Sequence, residues 1–97
     1  MVINEFRDFL KGQGITKKGV TSRIGKLRWS ERELHADMDD VVCEDEYMYH
    51  ALLEVKSREN VRHGNAQNAM RKYYEFINGR TFARLANYGC PNQRRRG

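Results

Sequence analysis

Apolar residues recur at helical spacing through most of the chain, and its one proline, Pro91, sits near the C-terminal end. Nothing in the first ninety residues forces a break, and no stretch alternates apolar and polar as a half-buried strand does. A chain patterned this way folds as helices or not at all. Val2, Phe6, Phe9 and Leu10 mark one face of a first helix, which ends at Lys11-Gly12-Gln13-Gly14, where two glycines supply a cap and a turn. Thr16 is placed to cap a second helix carrying Val20, Ile24 and Leu27 inward. Ser30 and Glu33, three apart, have the form of a capping box and predict a bend or a restarted helix through Leu34, with Trp29 buried at that bend.

Asp37 to Val42 reads as a short connection that plugs Met38 and Val41 or Val42 into the core. A third helix is expected from about Glu44 to Ser57, with Tyr47, Met48, Ala51, Leu52 and Val55 inward. Its acidic first turn and basic end suit the helix dipole. After a polar loop, the last long helix spans about Asn65 to Asn78 and closes at Gly79. Its buried stripe is Ala66, Ala69, Met70, Tyr73 and Ile77, leaving Tyr74 to reach outward or to pack on Phe82. Phe82 and Leu85 add one short packed turn. The expected architecture is all-α: a compact bundle of four to five helices in one domain over residues 1–86, followed by a flexible basic tail over 87–97.

The charge is sorted into blocks. Residues 1–35 carry eight Lys/Arg against four Asp/Glu, residues 36–60 two against eight, and residues 61–97 eight against one. Two basic helices separated by an acidic stretch can converge into one positive surface for an acidic polymer. The basic residues are Lys17, Lys18, Arg23, Lys26 and Arg28 on the second helix. Arg62 and His63 come just before the last helix, which carries Asn65, Gln67, Asn68, Arg71 and Lys72. Lys and Arg neutralise phosphates, and Asn, Gln and Arg read purine edges, so the last helix offers more than charge. A solvated helix face is the competing account of the same side chains.

Other chemistries find little footing. The carboxylates Asp37, Asp39, Asp40, Glu44, Asp45 and Glu46 lack the spacing of a calcium loop, and capping and solubility account for them without a metal. His35, His50, His63, Cys43 and Cys90 include no close ligand pair of the kind zinc needs. There is no nucleophile–base arrangement and no phosphate-cradling glycine loop, so neither an enzyme nor a cofactor is expected. Both cysteines read as free thiols, Cys43 partly buried. The early charges leave no apolar signal core, and no apolar run is long enough to span a membrane, which points to a cytoplasmic protein.

Three stretches, FRDFL (6–10), VTSRIGKLRWSERELHADMDDVV (20–42) and NAQNAMRKYYEFING (65–79), give the chain its likeness to a known family. Over residues 3–83 it resembles the N-terminal, SAM-like core-binding domain of phage-type integrases, in the tyrosine recombinase family. The resemblance implies that the second and last long helices face duplex DNA. It carries that role to Lys17, Lys18, Arg23, Lys26, Asn65, Asn68, Arg71 and Lys72. The family's catalytic domain has no counterpart here, and neither Tyr73 nor Tyr74 stands in the context of its nucleophile. The expectation is a complete, small DNA-binding module that does not recombine DNA, with Asn68 and Arg71 reading bases and Arg94, Arg95 and Arg96 as a tether. The alternative is a phage or mobile-element accessory protein that binds and regulates a host protein through the acidic segment 37–46, with Asp37, Asp39, Asp40 and Glu44 in contact. Recognition of single-stranded RNA is disfavoured because the aromatics fall on buried stripes.

Overall fold

The computed structural model describes residues 1–59 and 65–83. They form five helices: α1 (Ile3–Gly12), α2 (Lys17–Leu34), α3 (Met38–Cys43), α4 (Asp45–Arg58) and α5 (Asn65–Asn78). No strand occurs among the described residues. The bundle is all-α, as the periodicity requires. The predicted loop around Arg62 and His63, Leu85 and the basic tail over 87–97 lie outside the described residues.

The helix ends follow local chemistry. The chain leaves α1 through Gly14 at φ +81°, a left-handed conformation that glycine adopts without penalty. Thr16 then caps α2, its hydroxyl accepting the Gly19 N–H at 3.1 Å. Helix α2 stops where His35 turns left-handed at φ +52°, and α5 stops at Gly79, at φ +75°. Asp37 caps α3 by accepting the Asp39 N–H at 2.9 Å.

Helix α5 packs against each of the other four helices. That position explains its composition: Ala66, Ala69, Met70, Tyr73 and Tyr74 are all buried. The small residues let neighbours approach, and the two tyrosines fill the remaining space. Phe6, Leu10, Val20, Ile24, Leu27, Met38, Leu52 and Val55 complete one continuous core. Phe6 stands edge-on to Tyr73, with centroids 5.1 Å apart, and Tyr74 stands edge-on to Phe82 at 5.0 Å. Each tyrosine hydroxyl reaches a carboxylate on another helix: Tyr73 donates to Asp39 and Tyr74 to Asp45, each at 2.5 Å.

Several sequence expectations are corrected. Helix α2 runs unbroken through Ser30. Ser30 is buried, and its hydroxyl donates to the Lys26 carbonyl at 2.8 Å, one turn back in the same helix, so it starts no new helix. Glu33 pairs instead with Arg58 of α4 at 3.3 Å. Trp29, within this continuous helix, is only partly buried. The stretch read as a connection is helix α3, and Met38, Val41 and Val42 are all buried. Tyr47, expected inside, is 38% exposed, because the inward arc of α4 is Met48, Ala51, Leu52 and Val55. On α5, Ile77 is 41% exposed and Tyr74 takes the buried place. Cys43, expected partly buried, is an exposed free thiol. No helix among the described residues is long and apolar enough to cross a membrane.

Candidate nucleic-acid interface

The two basic helices pack against each other, which brings Arg23 and Lys26 of α2 near Asn68, Arg71 and Lys72 of α5 at their seam. Arg23, Asn68, Arg71, Lys72, Glu75 and Phe82 line a groove of about 310 Å³ between α2, α5 and the segment after Gly79. A smaller recess of about 60 Å³ adjoins it, lined by Ser22, Arg23, Lys26, Asn65 and Asn68. Arg23 and Asn68 line both.

The predicted residues divide into three groups. Lys17, Lys18 and Arg28 are exposed and have no carboxylate partner among the described residues. Asn65 and Asn68 are exposed at the start of α5. Arg23, Lys26, Arg71 and Lys72 are half-buried in the seam, where the structure gives them neighbours that a helical wheel does not reveal. Lys26 lies over the Trp29 ring, with its Nζ 3.4 Å from Glu59. Lys72 donates to Gln13 at 2.6 Å and stands 3.4 Å from Glu75. Arg71 donates through Nη1 to the carbonyls of Phe82 and Ala83, both at 3.1 Å, and lies over the Phe82 ring. Burial lowers its pKa from the ordinary arginine value, yet an arginine keeps its charge at any physiological pH. Both of its recorded partners are neutral carbonyls, so the Arg71 charge is not cancelled where it sits. Arg62 lies outside the described residues.

Sequence reasoning missed Glu59, which pairs with Lys26 at the smaller recess. Its side chain is 3% exposed, and both carboxylate oxygens accept the Ala66 N–H, at 3.0 and 3.1 Å. A carboxylate is thus buried at the N-terminus of α5, where the helix dipole favours negative charge. It also neutralises Lys26. Glu59 lies several residues before the helix it serves, so no capping signature announces it. Gly19 was missed as well. A Cβ there would stand 3.0 Å from Ile15 Cγ2 and 3.3 Å from an Arg23 nitrogen, so glycine leaves room for the Arg23 guanidinium to fold back on α2.

The acidic segment is largely occupied by the fold itself. Asp37 caps α3. Asp39 accepts from Tyr73 and lies 3.3 Å from the N-terminal amine. Asp45 accepts from Tyr74 and pairs with Arg80 at 3.5 Å. Asp40 and Glu44 are exposed. No group of three or more His, Cys, Asp or Glu side chains gathers among the described residues in a way that could hold a metal ion. Comparison of the chain with protein-family models, with curated proteins and with solved structures found no match.

Proposed function

We propose that this chain is a non-catalytic module that binds duplex DNA along its α2–α5 face, in the manner of the integrase core-binding domain its sequence resembles. The observation that carries the reading is the packing of the two basic helices side by side. It joins Arg23, Arg71 and Lys72 in one groove, while Lys17, Lys18 and Arg28 are exposed on other faces of α2 with no ion partner among the described residues. Lys17, Lys18 and Arg28 neutralise backbone phosphates. Asn65 and Asn68, exposed at the entrance, meet base edges. Arg71, anchored to two carbonyls, holds the closing segment and adds its charge. Contact with a protein through the acidic segment has less support, because Asp37, Asp39 and Asp45 already serve caps and tyrosine hydroxyls.

The test is fluorescence anisotropy of a labelled duplex across a salt series. Affinity is expected to fall steeply with salt. Replacing Lys17, Lys18 and Arg28 together by Gln is expected to flatten the slope of log affinity against log salt by about 2–3. Absence of binding at low salt by a folded protein would overturn the proposal.

A further inference from the structure

Arg23 stands out among the cations of the seam. Its Nε is buried and has no hydrogen-bond partner. Its Nη1 donates to the Gly19 carbonyl of its own helix at 3.4 Å, which leaves the Nε edge of the guanidinium without an acceptor. Buried donors are almost always paired, and an orphan in a folded protein calls for an explanation. The Nε edge of a guanidinium is a two-pronged donor that matches two oxygens of one anion. Arg23 lines both the groove and the smaller recess.

The surroundings complete the case. Arg71 and Lys72 share the groove with Arg23, and Glu75 is the one carboxylate lining it among the described residues. Glu75 is itself held, accepting from Gln13 at 3.3 Å and lying 3.4 Å from Lys72. Three cations against one carboxylate leave a local surplus of two positive charges. Lys26 adds none, since Glu59 neutralises it. Asn68 and Thr81 bring further polar groups, and Phe82 gives one apolar wall. The groove's volume of about 310 Å³ falls at the small end of sites that hold small ligands.

We infer that this groove seats one phosphate group, with Arg71 and Lys72 supplying charge around it and the Arg23 side chain turning its Nε edge, occluded in the free protein, onto the anion. The seat follows from the groove itself. That the phosphate belongs to a DNA backbone rests on the function proposed above. Gly19 belongs to the same device, because a side chain there would press on the guanidinium.

The experiment follows the arginine Nε–H resonances of ¹⁵N-labelled protein by NMR. Inorganic phosphate is titrated against chloride of equal ionic strength, and a short DNA duplex is titrated separately. The Arg23 resonance is expected to move saturably with phosphate and to stay still with chloride. Arg23→Lys keeps the charge but removes the Nε donor, and is expected to weaken phosphate binding roughly tenfold or more, as loss of a charged hydrogen bond does. Its thermal stability serves as the folding control, and the wild-type titration stands whatever the variant does. Movement with both ligands supports the seat with a backbone phosphate in it. Movement with phosphate, in a protein that binds no duplex, upholds the seat for free phosphate and removes the DNA reading. Duplex binding with an unmoved Arg23 resonance overturns the seat and leaves the DNA reading standing. An Arg23 resonance that responds to neither ligand overturns the seat.

Discussion

The α3–α4 side of the bundle and the α2–α5 side carry opposite charge and use it differently. On the acidic side, Asp37 caps a helix, and Asp39 and Asp45 each receive a hydroxyl from a buried tyrosine. Glu59, at the end of α4, serves the N-terminus of α5. On the basic side, Lys17, Lys18 and Arg28 have no ion partner among the described residues, and Arg23 has a buried donor with no acceptor. The two blocks look alike in the sequence. In the folded chain much of the acidic block serves the fold internally, while Lys17, Lys18 and Arg28 of the basic block carry no ion partner among the described residues. A block of charge is therefore informative about partners only after the groups the fold itself requires have been subtracted.

The sharpest way to break this comparison is to remove carboxylates of each kind. Asp39→Ala leaves the buried Tyr73 hydroxyl without its acceptor and the N-terminal amine without its partner. It is expected to cost about 1–3 kcal/mol in urea unfolding. Asp40→Ala combined with Glu44→Ala touches only exposed side chains that make no capping bond. That pair is expected to stay within about 0.5 kcal/mol of the wild type. Equal losses from the two variants would show that the acidic side is not divided as described.

A second test uses alkali. Burial, and then the hydrogen bond to Asp39, pushes the Tyr73 pKa well above the ordinary phenol value. Burial, and then the bond to Asp45, pushes Tyr74 up to about 12. A phenol whose pKa is higher in the folded state than in the unfolded chain favours folding fully below the unfolded value. That contribution is lost as pH rises through the folded value. For Tyr74 the window runs from about pH 10 to about pH 12. Urea midpoints are expected to fall across it. Tyr74→Phe is expected to be about 1 kcal/mol less stable at neutral pH and to lose less than the wild type across the window. An identical alkaline decline in wild type and variant would detach Tyr74 from this account.

The helices were legible because their signals are local. Thr16 lies beside the N–H it caps, and Gly79 follows the last turn it closes. The errors arose where a tertiary neighbour decides. Ser30 and Glu33 have capping-box spacing, but Ser30 lies on the buried face of a continuing helix. Tyr74 packs on Phe82, one of the two places expected for it, but Ile77 loses its expected burial because α5 touches all four other helices and its buried arc is turned toward Asp45. The cations of the site were legible as residue types, but their pairing was not. Glu59 reaches Lys26, and Gln13 reaches Lys72, across segments far apart in sequence. Periodicity sets Lys17 and Lys26 on opposite faces of α2, but it does not reveal that Lys26 meets Glu59.

The smallest effect is expected at Gly25, and it tests whether the basic side is shaped by its backbone or only by its side chains. Gly25 lies in the interior of α2, where glycine is a poor helix former, and it is exposed. A Cβ built there meets nothing within 4 Å. Gly25→Ala is therefore expected to stabilise the protein by about 0.5–1 kcal/mol, seen as a rise of a few degrees in Tm. The substitution removes no charge and no donor, and long lysine and arginine side chains hold a phosphate backbone away from the helix. Duplex affinity and its salt slope are accordingly expected to stay unchanged. A gain in stability with a marked loss of DNA affinity would mean that the bare backbone at Gly25 itself meets the duplex. The interface would then be centred on the outer face of α2, not on the groove it shares with α5.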